Sequence, residues 1–109
     1  MADEPSHSEQ EHLRAKLNAE TGVLAWSELE RHFARGVLIR LAGDLDLVEV
    51  ALAMARDDKP AVQDWLATGK LAHASSADAR TWHARQSRFW AVVAAPWVLV
   101  REVAARLDA

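Results

Sequence analysis

The chain has 109 residues, 50% of them apolar and 27% charged, with 16 Asp and Glu against 13 Lys and Arg and no cysteine. That length suits one domain, the composition excludes a chain disordered throughout, and the missing thiols exclude disulfides, thiolate zinc sites and cysteine nucleophiles. The formal charge of −3 gives no general signal for nucleic acid or a membrane surface.

The charge is unevenly placed. Residues 1–12 hold Asp3, Glu4, Glu9 and Glu11 with no Lys or Arg, so the rest of the chain is slightly basic. They read as a mobile acidic tail ahead of a single domain over residues 13–109. The tail lacks the basic and apolar regions of a signal peptide. No apolar run reaches the roughly 18 residues of a membrane span, so a cytoplasmic protein is expected.

A short helix is predicted over Glu9–Glu20, where Leu13 and Leu17 sit four apart, and Thr21-Gly22 ends it. Ser27 and Glu30 have the spacing of a capping box that opens a second helix. Trp26, Leu29 and Phe33 share one of its faces, and Gly36 suits the left-handed residue that closes it. Val37 to Leu41 is compact and partly β-branched, a strand that ends at the Gly43-Asp44 turn. Asp46 and Glu49 repeat the capping spacing ahead of Leu47–Ala55, whose apolar character all round marks a buried helix. After the polar break Arg56-Asp57-Asp58-Lys59, Pro60 suits the first turn of a helix that Gly69 stops.

Lys70–Ala74 is a candidate short strand, and Ser75-Ser76-Ala77-Asp78 starts a polar helix anchored by Trp82 and Phe89. The run Trp90–Val100 is read as a strand in which Pro96 forces a bulge or an edge position. A helix kinked at Pro96 is the alternative, since periodicity does not separate the two for short apolar runs. A helical end follows, with Glu102 and Arg106 four apart.

These elements make an α+β fold, mostly helical, with a small antiparallel sheet. The order helix, strand, helix, helix, strand resembles a winged helix, whose second paired helix would face DNA. Residues 44–64 nevertheless carry six acids against Arg56 and Lys59, which opposes phosphate contact there. The bases gather instead at Arg80, Arg85 and Arg88, among Trp82, His83 and Phe89, a candidate contact for RNA or another anion.

Chemical signatures are sparse. No two histidines show the spacing of a zinc-binding pair, Ser27, Ser75 and Ser76 suit caps rather than nucleophiles, and the glycines are too isolated to cradle phosphate. No metal, cofactor or catalytic residue is assigned. Asp46, Asp57, Asp58 and Lys59 form a candidate polar cluster. The five tryptophans suit a bulky core, with an aromatic wall for a ligand as the alternative.

Several stretches carry a resemblance: Trp26-Ser27-Glu28-Leu29, Phe33 to Val37, Leu45 to Ala51, Asp57-Asp58-Lys59, Val62 to Gly69, and Trp90 to Val100 with its Ala95-Pro96-Trp97-Val98-Leu99-Val100 end. Over about residues 17–103 they resemble a family of short bacterial proteins catalogued only as a domain of unknown function. The resemblance implies no activity, cofactor or site residue.

The expected function is a non-catalytic protein-interaction module, self-associating as a homodimer or meeting another protein. Its interface is expected at Trp90, Pro96, Trp97, Val98 and Val100. The alternatives are a degenerate winged helix that binds nucleic acid through Arg80, Arg85 and Arg88, and a small-molecule binder or enzyme with a Trp-lined pocket.

Overall fold

A computed structural model describes residues 7–42 and 44–103. In chain order it contains helix α1 (His7–Glu20), strand β1 (Gly22–Ala25), helix α2 (Trp26–Ala34), strand β2 (Leu38–Leu41), and helices α3 (Leu47–Ala55) and α4 (Lys59–Ala67). Strand β3 (Leu71–His73), helix α5 (Ser76–Arg85) and strands β4 (Arg88–Ala94) and β5 (Trp97–Glu102) follow. The α+β class is as expected. The sheet is larger than predicted, with five strands in the order β1-β4-β5-β2-β3. It is also mixed rather than antiparallel, because β5 lies parallel to β2 and antiparallel to β4.

Helices cover both faces. Leu17 of α1 and Leu47, Val48, Val50, Ala51 and Leu52 of α3 pack on Ile39, Leu41, Leu71, Val92 and Leu99. Trp26 and Leu29 of α2 and Trp82 of α5 pack on Leu38, Phe89, Ala91, Val98 and Val100. The division follows from strand geometry, since neighbouring side chains point to opposite faces. Central β5 is therefore apolar at consecutive positions, as a strand buried on both faces must be, and this is why its periodicity was ambiguous.

Pro96 marks neither a bulge nor an edge. It follows a cis Ala95–Pro96 bond in the turn between β4 and β5, so the predicted single strand is a hairpin. The predicted helical end is also corrected: Glu102 is still in β5, and Arg106 lies outside the described residues, as do residues 1–6 and Gly43.

Strand β1 was not anticipated, being four residues long and running without a turn into α2. It also shifts the cap of α2. Ala25, not Ser27, is the N-cap residue, and the Glu28 carboxylate accepts the Ala25 N–H at 2.9 Å. Pairing of β1 with β4 and the Trp26 N–H donating to Ser87 O at 3.0 Å fix that start. At α3 half of the predicted box forms. Asp46 accepts the Val48 N–H at 2.9 Å, whereas Glu49 pairs with Arg14 of α1 at 2.6 Å.

Ser75 does cap α5, as expected, accepting the Asp78 N–H at 3.0 Å, and the Asp78 carboxylate closes the box by accepting the Ser75 N–H at 2.9 Å. The polar helix they open ends before Phe89, because Gln86 takes a left-handed φ of 53° and turns the chain into β4. Trp82 and Phe89 meet nonetheless, edge to face with ring centroids 4.8 Å apart, across the layer boundary.

Candidate functional site

The stripe Leu13, Lys16, Leu17 and Glu20 on α1 occupies positions i, i+3, i+4 and i+7, one helix face. It faces the C-terminal end of α3, the start of α4 and the β4–β5 turn, and together these enclose a cleft of about 560 Å³. That size lies within the range of ligand and side-chain-binding pockets.

The floor of the cleft is apolar. Leu17 and Ala51 come up from the core, and Met54, Val62 and Trp97 are half-buried around them. Trp97 is held by the edge contact of its ring with His73, 5.5 Å between centroids. On the hairpin side Val93 is 59% exposed.

The α3–α4 turn sets the polar rim. Asp57 N–H donates to Met54 O at 3.1 Å and Asp58 N–H to Ala53 O at 2.8 Å, with Asp57 at a φ of 56°. This is a Schellman closure with aspartate in the left-handed position usually held by glycine. The Asp58 carboxylate is used locally, accepting the Ala61 N–H at 3.3 Å as the cap of α4. Lys16, Glu20, Asp57 and Lys59 are exposed, and among the described residues none of their side chains forms an ion pair or hydrogen bond.

Three members of the predicted polar cluster, Asp57, Asp58 and Lys59, line this cleft. Asp46 does not: it caps the opposite end of α3, about 13 Å away by helix rise. It borders instead a shallow depression of about 440 Å³ with Trp90 and Arg101, whose guanidinium donates to Leu45 O at 2.7 Å.

The predicted interface is divided in a similar way. Val98 and Val100 are 5% and 0% exposed, inside the second core, because β5 is the middle strand of five. They are not available to a partner. Pro96 is exposed at the turn, Trp97 lines the cleft, and Trp90 is 46% exposed beside its cross-strand neighbour Val23.

The three arginines do not converge. Arg80 and Arg85 lie on α5, whereas Arg88 opens β4. Strand alternation sends Arg88 to the sheet face opposite Phe89, and Phe89 is where α5 packs. Arg85 also lies 3.6 Å from Glu102, which accepts the Ser87 hydroxyl at 2.6 Å. The cleft wall on α1 is hidden in the sequence because Lys16 and Glu20, charged neighbours of Leu13 and Leu17, carry no burial signal; only their i, i+3, i+7 spacing from Leu13 marks the stripe. Among the described residues, no three His, Asp or Glu side chains gather where they could hold a metal ion, and no helix is long and apolar enough to cross a membrane.

Residues 12–102 match the model of a family described as Protein of unknown function (DUF2288). The chain belongs to this family. The DUF2288 match ends at Glu102, the last residue of β5, and takes in every strand and the whole cleft from Leu13 to Trp97. The NMR solution structure of PA1075 from Pseudomonas aeruginosa is similar at 40% identity and a TM-score of 0.76, covering 100% of this chain and 97% of that one. Among curated proteins nothing matches.

Proposed function

We propose that this DUF2288 protein is a non-catalytic interaction module, acting in the cytoplasm, whose contact surface is the cleft between α1, the α3–α4 turn and the β4–β5 hairpin. The observation that carries the reading is an apolar floor, continuous with the core, ringed by charged side chains of which Lys16, Glu20, Asp57 and Lys59 have no partner among the described residues. An apolar centre inside a polar rim is the anatomy of a protein contact. Binding is favoured over chemistry because the rim charges stand apart around the floor rather than in hydrogen-bonded acid–base pairs. The separation of Arg88 from Arg80 and Arg85 leaves the nucleic-acid reading less support.

The test is an amide NMR titration with the apolar dye anilinonaphthalene sulfonate. Shifts are expected on Leu17, Met54, Val62 and Trp97, and Met54→Glu is expected to remove them while the fold is kept. Shifts confined to the depression beside Trp90, or none at all, overturn the cleft as contact surface.

A further inference from the structure

We infer that the occupant of the cleft is a second copy of this chain, docked across a two-fold axis so that each β4–β5 turn enters the other copy's cleft. The inference rests on the cleft being the contact surface and adds the identity of its partner.

A two-fold interface brings the same patch of both subunits together, so that residue i meets j while j meets i. Such a patch must therefore hold its own counter-charges and its own knob beside its own hole. This one holds both. The rim has two cations, Lys16 and Lys59, and three carboxylates; Glu20 and Asp57 are exposed and, like both lysines, without partners among the described residues, while Asp58 caps α4. A purely anionic or cationic partner would leave half of the unpartnered charges unanswered, at a cost once they are desolvated.

The knob is the hairpin end. Ala95 and Pro96 are exposed in the turn, and Ala95 borders the cleft beside the hollow formed by Leu17, Met54 and Val62. Both turn residues are uncharged, as the centre of an interface requires.

The wider surface opposes this pairing at long range. Residues 7–20 and 44–70, which build this side of the sheet, carry nine acids against five bases. At an ionic strength of about 0.15 M, charges more than roughly 8 Å apart are screened, whereas rim charges in contact are screened much less. Association is thus decided by the rim.

The decisive experiment is sedimentation velocity of the full chain at that ionic strength, across a concentration series into the high micromolar range. Two variants drive the rim toward one sign: Lys16→Glu with Lys59→Glu leaves only carboxylates, and Glu20→Lys with Asp57→Asn leaves Asp58, engaged as the cap of α4, as the one remaining acid among the rim residues, asparagine being chosen because it tolerates the left-handed backbone. The wild type is expected to dimerise. Each variant alone is expected to dimerise at least tenfold more weakly, and their equimolar mixture to form a heterodimer. A strictly monomeric wild type overturns the inference, as does a dimer that both variants retain or a mixture that stays monomeric. Dye binding separates this from the broader reading. A monomer whose cleft still binds dye loses only the second copy as occupant, while loss of dye binding as dimer accumulates supports it.

Discussion

Asp78 shows how much one carboxylate can organise. Its Oδ2 accepts the Ser75 N–H at 2.9 Å, closing the cap of α5, and also the Arg40 Nε–H at 2.9 Å from β2. One side chain thus fixes where a helix begins and ties that helix to the sheet. Asp78→Ala is expected to cost about 2–3 kcal/mol, the loss of a cap together with a charge-assisted hydrogen bond. Ser75→Ala removes only the cap contact and is expected to cost about 1 kcal/mol. Urea unfolding of the two variants checks this, and equal losses would show that Arg40 adds nothing. The capping half of this arrangement was legible as Ser75 followed by Asp78. The Arg40 half was not, because nothing local marks a partner 38 residues away.

Asp57 is the second telling residue. A side chain in the left-handed region is disfavoured by about 1 kcal/mol or more, although aspartate tolerates it better than most. Asp57→Gly is therefore expected to stabilise the fold by about 0.5–1 kcal/mol, measurable as a raised urea midpoint. The same change removes one of the two unpaired rim carboxylates, so self-association is expected to weaken in the more stable protein. Stability and association that rise together would separate Asp57 from the rim.

At the scale of elements, helix ends were more legible than strands. Four helices close the same way, with the left-handed position held by Gly36, Asp57, Gly69 and Gln86. The two glycines announced their helix ends in advance. Gln86 did not, and the predicted helix ran on to Phe89 for that reason. Strand β1 escaped because Gly22–Ala25 is short and its pairing with β4 is set by residues far along the chain.

Helices α3 and α4 differ in a way that predicts their dynamics. Six of the nine residues of α3 are buried, whereas α4 has none. With little buried apolar surface to hold it, a helix opens at low free-energy cost. Amide hydrogen exchange is expected to be at least tenfold faster in Val62–Leu66 than in Val50–Ala53. Equal protection would mean that α4 opens only with the whole molecule. An easily displaced α4 also suits a cleft wall that must adjust to a knob.

Across the whole molecule, the two sides of the sheet differ in charge. Residues 22–42 and 71–103, the strands with α2 and α5, carry seven bases against four acids, the reverse of the opposite helix layer. The small net charge conceals that division. The α+β class was legible from alternating helix and strand signals. Strand order was not, because Trp90–Val100 reads as one apolar run until its two halves are seen back to back.

The place of β5 in that order makes it indispensable. Without it, β1 with β4 and β2 with β3 are two separate pairs with no strand to join them. A chain ending at Ala95 is expected to lose native amide dispersion in NMR and native ellipticity altogether. Retention of either would show that the helix layers suffice to hold the fold.

The middle of the sheet is also the last part to be made. During synthesis β3 is complete at His73, but β5 is not finished until Glu102. At about 5–20 residues per second, that interval lasts roughly 1.5–6 seconds. In its course the apolar faces of β2 and α3 come out with no centre to close on, and shelter for the unfinished chain becomes a matter for the cell rather than for the fold.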